Sequence, residues 1–371
     1  MKTIYEIVLT GGPCGGKTSA LSKIQSWLMD RGFRVFIAPE TATIVIGGGI
    51  RDIGLIAGKN PQKYRNIQKE MLRMQLSNRE HFLNLAKLFD EPVVILYDRG
   101  PMDGAAYMEE KYFTAMIEEE HLTLNELRDS FDGVIHLVTA ANGAREFYTT
   151  ANNEARRETP EEAILLDEKT KEAWVGHPHL KIIDNLVGVS GFDSKLRRAT
   201  SAIARIIGIP VPIEIERKFL VKSVPESFLN NLPNLHTAKI EQIYIEGTDE
   251  TRIRKRTASD GSAIYSHTIK SPGDTTAVRY ERENKISPTQ FTDLQKSQKQ
   301  GTITIFKKRH CFVWNSQYFE LDIFKSHNGL ILLEVELTEE NDSVDLPPSF
   351  EIEKEVTGDL AYSNAILAQI K

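Results

Sequence analysis

The chain of 371 residues is too long for one ordinary domain and comfortable for two; 40% hydrophobic and 26% charged residues mark a globular protein that folds in water. A net charge of −6 excludes a general nucleic-acid coat, although a basic pocket remains compatible with it. Cys14 and Cys311 fall in different halves without metal-ligand spacing, and no apolar run is long enough to span a membrane, so a reducing cytoplasmic setting without a transmembrane segment is expected.

Tyr5–Thr10 reads as a buried strand, followed by Gly11-Gly-Pro-Cys-Gly-Gly-Lys-Thr18 and a helix with Leu21, Ile24 and Leu28 on one side. Strand, glycine loop and helix are the context that G-x-x-x-x-G-K-T requires. Backbone N–H groups must converge on phosphate oxygens with no Cβ in the way, at the positive end of a helix. Gly11, Gly12, Gly15, Gly16, Lys17, Thr18 and Ser19 are therefore the candidate nucleotide site, with Lys17 on the β- and γ-phosphates and Thr18 on Mg²⁺. A strand at 35–40 ends in Glu40, placed to orient an acceptor, and Gly47-Gly-Gly49 marks a loop.

Glu91–Asp98 is a second buried strand, ending in an acid ahead of Arg99-Gly100-Pro101. Ligands of open α/β sheets sit at the carboxyl ends of the strands, so Asp98 is a candidate for Mg²⁺ contact or general base, with Arg99 beside the nucleotide. After a strand at 131–138, Arg145, Arg156 and Arg157 are candidates for a lid over the γ-phosphate. Thr159-Pro-Glu-Glu162 then starts a helix with a cap residue, proline at the first helical position and glutamate three after the cap. Gly176-His-Pro-His-Leu-Lys-Ile-Ile-Asp-Asn185 supplies a fifth strand with a polar end fit for nucleobase contact, and His177 and His179 read as structural.

These elements resemble the NadR-like branch of P-loop kinases, in particular the version in the TRP-channel translocation defect family, over residues 1 to about 208. The resemblance implies a parallel sheet with helices on both faces and a part for Asp98 in phosphoryl transfer. No Asn-Lys-x-Asp guanine motif occurs, so ATP and GTP both stay open as the nucleotide.

Ile206-Ile-Gly-Ile-Pro-Val-Pro212 ends the helical pattern, and the expected domains are 1–208 and 209–371. Beyond it, Ile213–Val221 alternates with Glu214, Glu216 and Lys218 on one face and Ile213, Ile215 and Phe219 on the other. The same parity of charge recurs at Arg252/Arg254/Arg256, Arg279/Glu281/Glu283, Glu320/Asp322 and Glu334/Glu336. Strands are expected at 236–247, 251–258, 262–271, 277–287, 303–314, 317–326 and 329–338, with helices near 225–231, 288–298 and 360–370. With the opening strand these make an eight-stranded antiparallel tunnel barrel in an α+β domain, apolar faces outward under helices and ionic faces inward.

Such a lumen calls for a polyanion. Lys218, Arg252, Arg254, Arg256, Lys270, Arg279, Lys307 and Arg309 are candidates for its oxygens. Glu214, Glu216, Asp322, Glu334 and Glu336 would repel it unless Mg²⁺ or Mn²⁺ bridged them to phosphate.

The E-x-E-x-K of Glu214, Glu216 and Lys218, with Arg252-Ile-Arg254, Asp322 and the late Glu334/Glu336, is similar to the CYTH superfamily of triphosphate tunnel metalloenzymes over residues 213–370. The resemblance implies metal on the four glutamates and Asp322, phosphate on Lys218, Arg252, Arg254, Lys270 and Lys307, and hydrolysis of a triphosphate, with Glu334, Glu336 and Lys218 beside Asp98 as the catalytic candidates. A rival expectation, carried by the translocation defect resemblance, is a GTP-regulated module gripping a phosphoinositide headgroup peripherally at membranes; five acids serve no purpose there. RNA 5′-triphosphate processing is a weaker one, since no aromatic stacking platform lies outside the lumen.

Overall fold

A computed structural model of the protein describes residues 4–50, 52–148, 158–185, 191–208, 216–232, 235–247, 250–272, 279–315, 317–337 and 342–369, with backbone alone at 191, 270–272, 279–282 and 336. The chain forms two compact units, Met1–Ile206 and Ile207–Lys371.

The first unit alternates strand and helix: β1 Ile4–Thr10, α1 Lys17–Met29, β2 Arg34–Ala38, α2 Thr41–Gly47, α3 Ile53–Lys59, α4 Pro61–Ala86, β3 Val93–Asp98, α5 Glu110–Glu119, α6 Leu124–Arg128, β4 Gly133–Leu137, α7 Pro160–Ala173, β5 Leu180–Ile183 and α8 Gly191–Ile207. Its strands pair in parallel in the order β2-β3-β1-β4-β5, all five at the places the apolar runs predict. Val93–Leu96 and β4 are buried throughout, as strands covered on both faces must be. The order places β1 between β3 and β4, so the glycine loop leaves the sheet where connections turn to opposite sides, the usual ligand edge. Helix α1 buries Ala20, Leu21, Ile24 and Leu28, and α7 begins on the expected capping box between Thr159 and Glu162.

The second unit continues with β6 Glu216–Ser223, α9 Glu226–Asn231, β7 His236–Ile245, β8 Glu250–Ala258, β9 Ala263–Pro272, β10 Arg279–Lys285, α10 Pro288–Gln295, β11 Ile305–Trp314, β12 Gln317–Phe324, β13 Ile331–Glu336, β14 Glu351–Glu355 and α11 Asn364–Leu367. Its antiparallel sheet has nine strands in the order β10-β9-β8-β7-β11-β12-β13-β6-β14, in place of the expected eight. The added strand, β14, pairs with β6 across a register shift. Its residues are almost all exposed, so burial leaves no alternation in Glu351-Ile-Glu-Lys-Glu355 to mark it. The ladder runs from β10 to β14, and no pairing joins those two edges among the described residues, so closure into a barrel is not seen there.

One face of this sheet is apolar. Phe219, Val221, Phe312, Phe319, Leu321, Leu333 and Val335 pack with Phe228 of α9, and Ile243, Ile245 and Ile253 pack with Phe291 of α10. The opposite face carries the charges, and at one end it turns apolar through Leu220, Tyr244, Ile305, Phe324 and Leu332 around Val356 and Ala368. These residues come one from each of the neighbouring strands β7, β11, β12, β13 and β6, and with Val356 and Ala368 they form an apolar row that the C-terminal segment covers at that end of the charged face. No helix among the described residues is long and apolar enough to cross a membrane.

Candidate functional sites

The loop after β1 is held so tightly that glycine is required. A Cβ on Gly11 would lie 2.1 Å and one on Gly15 2.5 Å from the Leu137 carbonyl oxygen at the end of β4. Gly16 has φ 86°, a backbone conformation that favours glycine, and faces the Phe192 ring. Lys17 Nζ donates to the carbonyls of Gly11 (3.1 Å) and Gly12 (3.3 Å). Burial, and then Arg99, push its ammonium down to about 8. Thr18 and Ser19 in the first turn of α1 line the same cavity.

Opposite Lys17, Asp98 closes β3 with a buried Oδ1 that accepts no hydrogen bond among the described residues, and burial raises its carboxyl above the ordinary range. Arg99, at φ 67°, donates to Glu40 (2.6 Å) and lies 3.8 Å from Asp103. Burial works to raise the Glu40 carboxyl, and Arg99, Thr43 and Lys17 outweigh it, leaving it below its ordinary value. Asp103 is fixed in turn by Thr10 Oγ1 (2.6 Å) and Trp174 Nε1 (2.7 Å). On the β5 side, Lys195 Nζ donates to the Val138 carbonyl (2.5 Å) and to Asn185 Oδ1 (2.9 Å), with burial bringing it down to about 8. The cavity joining these groups measures about 1910 Å³, beyond the roughly 300–1,000 Å³ of a one-ligand pocket.

In the second unit the charges of four strands meet. Arg309 on β11 donates from Nε and Nη2 to Asp322 (2.7 and 2.6 Å), from Nη1 to Glu320, and from Nη2 to Glu334 (3.3 Å). Lys307 Nζ reaches Asp322 Oδ2 at 2.5 Å with both side chains fully buried. Lys218 Nζ lies 2.9 Å from Glu334 and 3.1 Å from Glu216. Burial alone would raise the Asp322 carboxyl; Arg309 and Lys307 outweigh it and hold the group well below the carboxylate range. Register places Arg252, Arg254 and Arg256 on β8 opposite Tyr244, Gln242 and Ile240 of β7, hence at the parity of Lys307 and Arg309. Arg254 donates to Gln242 (3.3 Å), and Arg256 lies 3.9 Å from Cys311 Sγ.

A profile of the CYTH domain matches residues 212–366, and an inorganic triphosphatase of Nitrosomonas europaea is 35% identical over 159 residues, 42% of this chain and 96% of that protein. The chain belongs to the CYTH family. An AAA domain, matched over residues 6–190, is fused ahead of the CYTH domain. Among solved structures, one of an inorganic triphosphatase is 32% identical, covering 43% of this chain and 97% of that one at a TM-score of 0.31. A conserved hypothetical protein from Pyrococcus furiosus is 25% identical, covering 35% and 81%, at a TM-score of 0.26.

In the AAA domain, Gly15, Gly16, Lys17, Thr18, Ser19, Asp98 and Arg99 line one cavity. Arg145 does not: it is exposed and paired with Glu161. Arg156 and Arg157 lie outside the described residues, as do Glu214 and the side chains of Lys270, Arg279 and Glu336 in the CYTH domain.

For a divalent cation the CYTH domain offers hard carboxylate oxygens of the right kind. Glu216 and Glu334 converge on one ammonium, that of Lys218, which marks a spot where two carboxylates already accept a cation. Asp322 differs from that pair, because both its oxygens are taken by Lys307 and Arg309. No cluster of three or more acidic, histidine or cysteine ligands is assembled among the described residues.

Sequence reasoning passed over Asp103, Asp167, Lys195 and Glu320 as site residues. Asp167 shares the buried stripe of α7 with Ala163, Thr170 and Lys171, a stripe polar enough that periodicity does not single the acid out. Lys195 likewise sits in α8 next to Leu196 and is buried.

Proposed function

We propose that the CYTH domain hydrolyses a triphosphate, with inorganic triphosphate the first substrate to try, and that the AAA domain binds ATP or GTP with Mg²⁺ at its glycine loop. The observation that supports the first part most directly is the meeting of Lys218, Lys307 and Arg309 with Glu216, Asp322 and Glu334 on one face of the sheet. A phosphate chain with a divalent cation can exchange into such a set, phosphate oxygens taking the bases and the cation taking carboxylates, and the N. europaea relative is an inorganic triphosphatase.

On this reading Lys218, Arg252, Arg254 and Arg309 bind the phosphate oxygens and orient the terminal phosphoryl group. Asp322 keeps Lys307 and Arg309 extended toward the face. Glu216 and Glu334, with Glu214 and Glu336, would hold Mg²⁺ or Mn²⁺. When bound, the cation supplies charge neutralisation for the phosphates and acidity for a coordinated water. In the AAA domain Lys17 takes the β- and γ-phosphates, Thr18 contacts Mg²⁺, and Asp98, its carboxyl raised above the ordinary range by burial and so made a stronger base, is the group able to accept a proton from an attacking hydroxyl.

Phosphate release from tripolyphosphate with Mg²⁺ or Mn²⁺ tests the CYTH reading. Glu334→Ala is expected to abolish it. No release by the wild type, or unchanged release by the variant, refutes the assignment.

A further inference from the structure

Asp167 stands 155 positions from the glycine loop in sequence and yet touches its backbone. Its Oδ1 accepts the Gly12 N–H at 2.6 Å and the Thr139 N–H at 3.2 Å, and His136 Nε2 stands 3.2 Å from the same oxygen. The approach is direct because Gly12 has no side chain: a Cβ there would lie 2.7 Å from Asp167 Cβ and Oδ1. Asp167 is fully buried, and its Oδ2 accepts no hydrogen bond among the described residues. Burial works to raise its carboxyl, but His136, the Gly12 N–H and Lys171 outweigh it and hold the group below its ordinary value, so the charged form is the one this site keeps.

What that charge does is visible one bond away. The Gly12 N–H and the Gly11 carbonyl belong to a single peptide unit; the N–H is held by Asp167, and the carbonyl is held by Lys17 Nζ at 3.1 Å. A carboxylate drawing on the N–H makes the carbonyl of that unit a stronger acceptor. Thr139, whose N–H shares the carboxylate, also donates from Oγ1 to the Pro13 carbonyl, so α7 and the end of β4 clamp Gly12 and Pro13 together.

We infer that Asp167 is a positioning residue of the phosphate loop, fixing through the Gly11–Gly12 peptide the place from which the Lys17 ammonium reaches a nucleotide's outer phosphates. This rests on the nucleotide-binding reading of the AAA domain. Lys17 exchanges carbonyls for phosphate oxygens on binding, and the loop keeps its shape during that exchange because its first peptide is anchored from α7.

The test is calorimetric titration of the full chain with Mg·ATP, Mg·GTP, AMP and GMP in the wild type, Asp167→Asn and Lys17→Ala. Asparagine keeps an acceptor for Gly12 and removes the charge, so triphosphate affinity is expected to fall about tenfold, charge-assisted bonds being roughly twice as strong as neutral ones. Monophosphate affinity should fall less than twofold, because Lys17 acts on the outer phosphates. Equal weakening of both classes, or no weakening, overturns the inference. If Lys17→Ala abolishes binding while Asp167→Asn leaves triphosphate affinity unchanged, the inference fails and the nucleotide site stands; if the wild type binds neither triphosphate, the nucleotide reading itself fails.

A measurement on the wild type needs no folded variant. With ¹⁵N-glycine labelling, the Gly12 amide proton should resonate downfield of Gly15 and Gly16 and stay in place when triphosphate is added, while those two shift. A Gly12 amide that moves as far as Gly15 would be contacting phosphate instead of Asp167, and the anchor would be refuted without recourse to any substitution.

Discussion

Replacing Asp322 by alanine probes whether the CYTH face is a buried ionic network or a set of independent surface charges. Asp322 is fully buried and takes Lys307 Nζ at 2.5 Å and two nitrogens of Arg309 at 2.7 and 2.6 Å. Lys307 has no exposed surface to exchange its carboxylate for water, so Asp322→Ala strands a buried ammonium. Breaking a buried pair from one side costs about 3–5 kcal/mol. For a unit of this size each kcal/mol moves the midpoint by about 2–4 °C, so Tm should fall by roughly 6–20 °C. Differential scanning calorimetry of the whole chain measures this with the AAA transition as internal reference. The double variant Asp322→Leu with Lys307→Met removes both buried charges and should recover about half of the loss, because Arg309 retains Glu320 and Glu334. The sign of the pH dependence follows from the depressed Asp322 carboxyl: its stabilisation is complete above the unfolded value near 4 and disappears as pH falls below it, so the wild-type CYTH transition should lose more Tm than the variant's on acidification. A Tm change under about 3 °C in Asp322→Ala, or a double variant as unstable as the single one, refutes the network.

Lys17→Ala should remove nucleotide binding, read by calorimetry, and leave tripolyphosphate hydrolysis unchanged, since the two proposed sites lie in separate units. Because burial brings the Lys17 ammonium down to about 8, the proton needed for phosphate is lost as pH rises through that value, and nucleotide affinity should decline between pH 7 and 9 in the wild type. Asp98→Asn should leave the nucleotide Kd within about threefold and reduce γ-phosphate transfer or release by ~10²–10⁴, the usual contribution of a general base, as followed by phosphate release.

The parallel sheet was legible because each of its strands is an apolar run closed by a turn residue, and the glycine loop because close backbone approach admits no other residue at Gly11 or Gly15. The charged face was legible from parity alone: Lys218, Arg309, Asp322 and Glu334 alternate with core residues, and a period of two allows them one direction only. What parity does not carry is which charge takes which partner. Asp322 reads as a metal ligand in sequence and stands between Lys307 and Arg309 in the structure, since both face it from the neighbouring strand. Strand β14 was illegible because its exposed residues leave no pattern of burial, and Asp167 because its partner is a backbone N–H, which every residue possesses.

The acids and bases of the CYTH face also compete, and the competition has a measurable consequence. Lys218 divides its ammonium between Glu216 and Glu334, and Arg309 shares Nη2 between Asp322 and Glu334, so Glu334 restrains two of the cations that a phosphate chain requires. Phosphate must displace Glu334 from them, or Glu334 must be engaged elsewhere, which is what a divalent cation would do. Glu334→Gln separates the two demands: it keeps the shape, removes the charge that restrains Lys218 and Arg309, and removes a cation ligand. In EDTA, tripolyphosphate should bind the variant at least about tenfold more tightly than the wild type, since two charge-assisted contacts of Glu334, of which one alone is worth about 1.5 kcal/mol or more, are weakened before phosphate has to displace them. With Mg²⁺ or Mn²⁺ present the same variant should lose hydrolysis, because its bases are freed at the expense of the carboxylate that would hold the metal. Calorimetry in EDTA and phosphate release with metal read the two effects separately. A variant that binds tripolyphosphate more weakly than wild type in EDTA would show that Glu334 supports the phosphate site instead of opposing it, and would refute the competition on which the cation requirement rests.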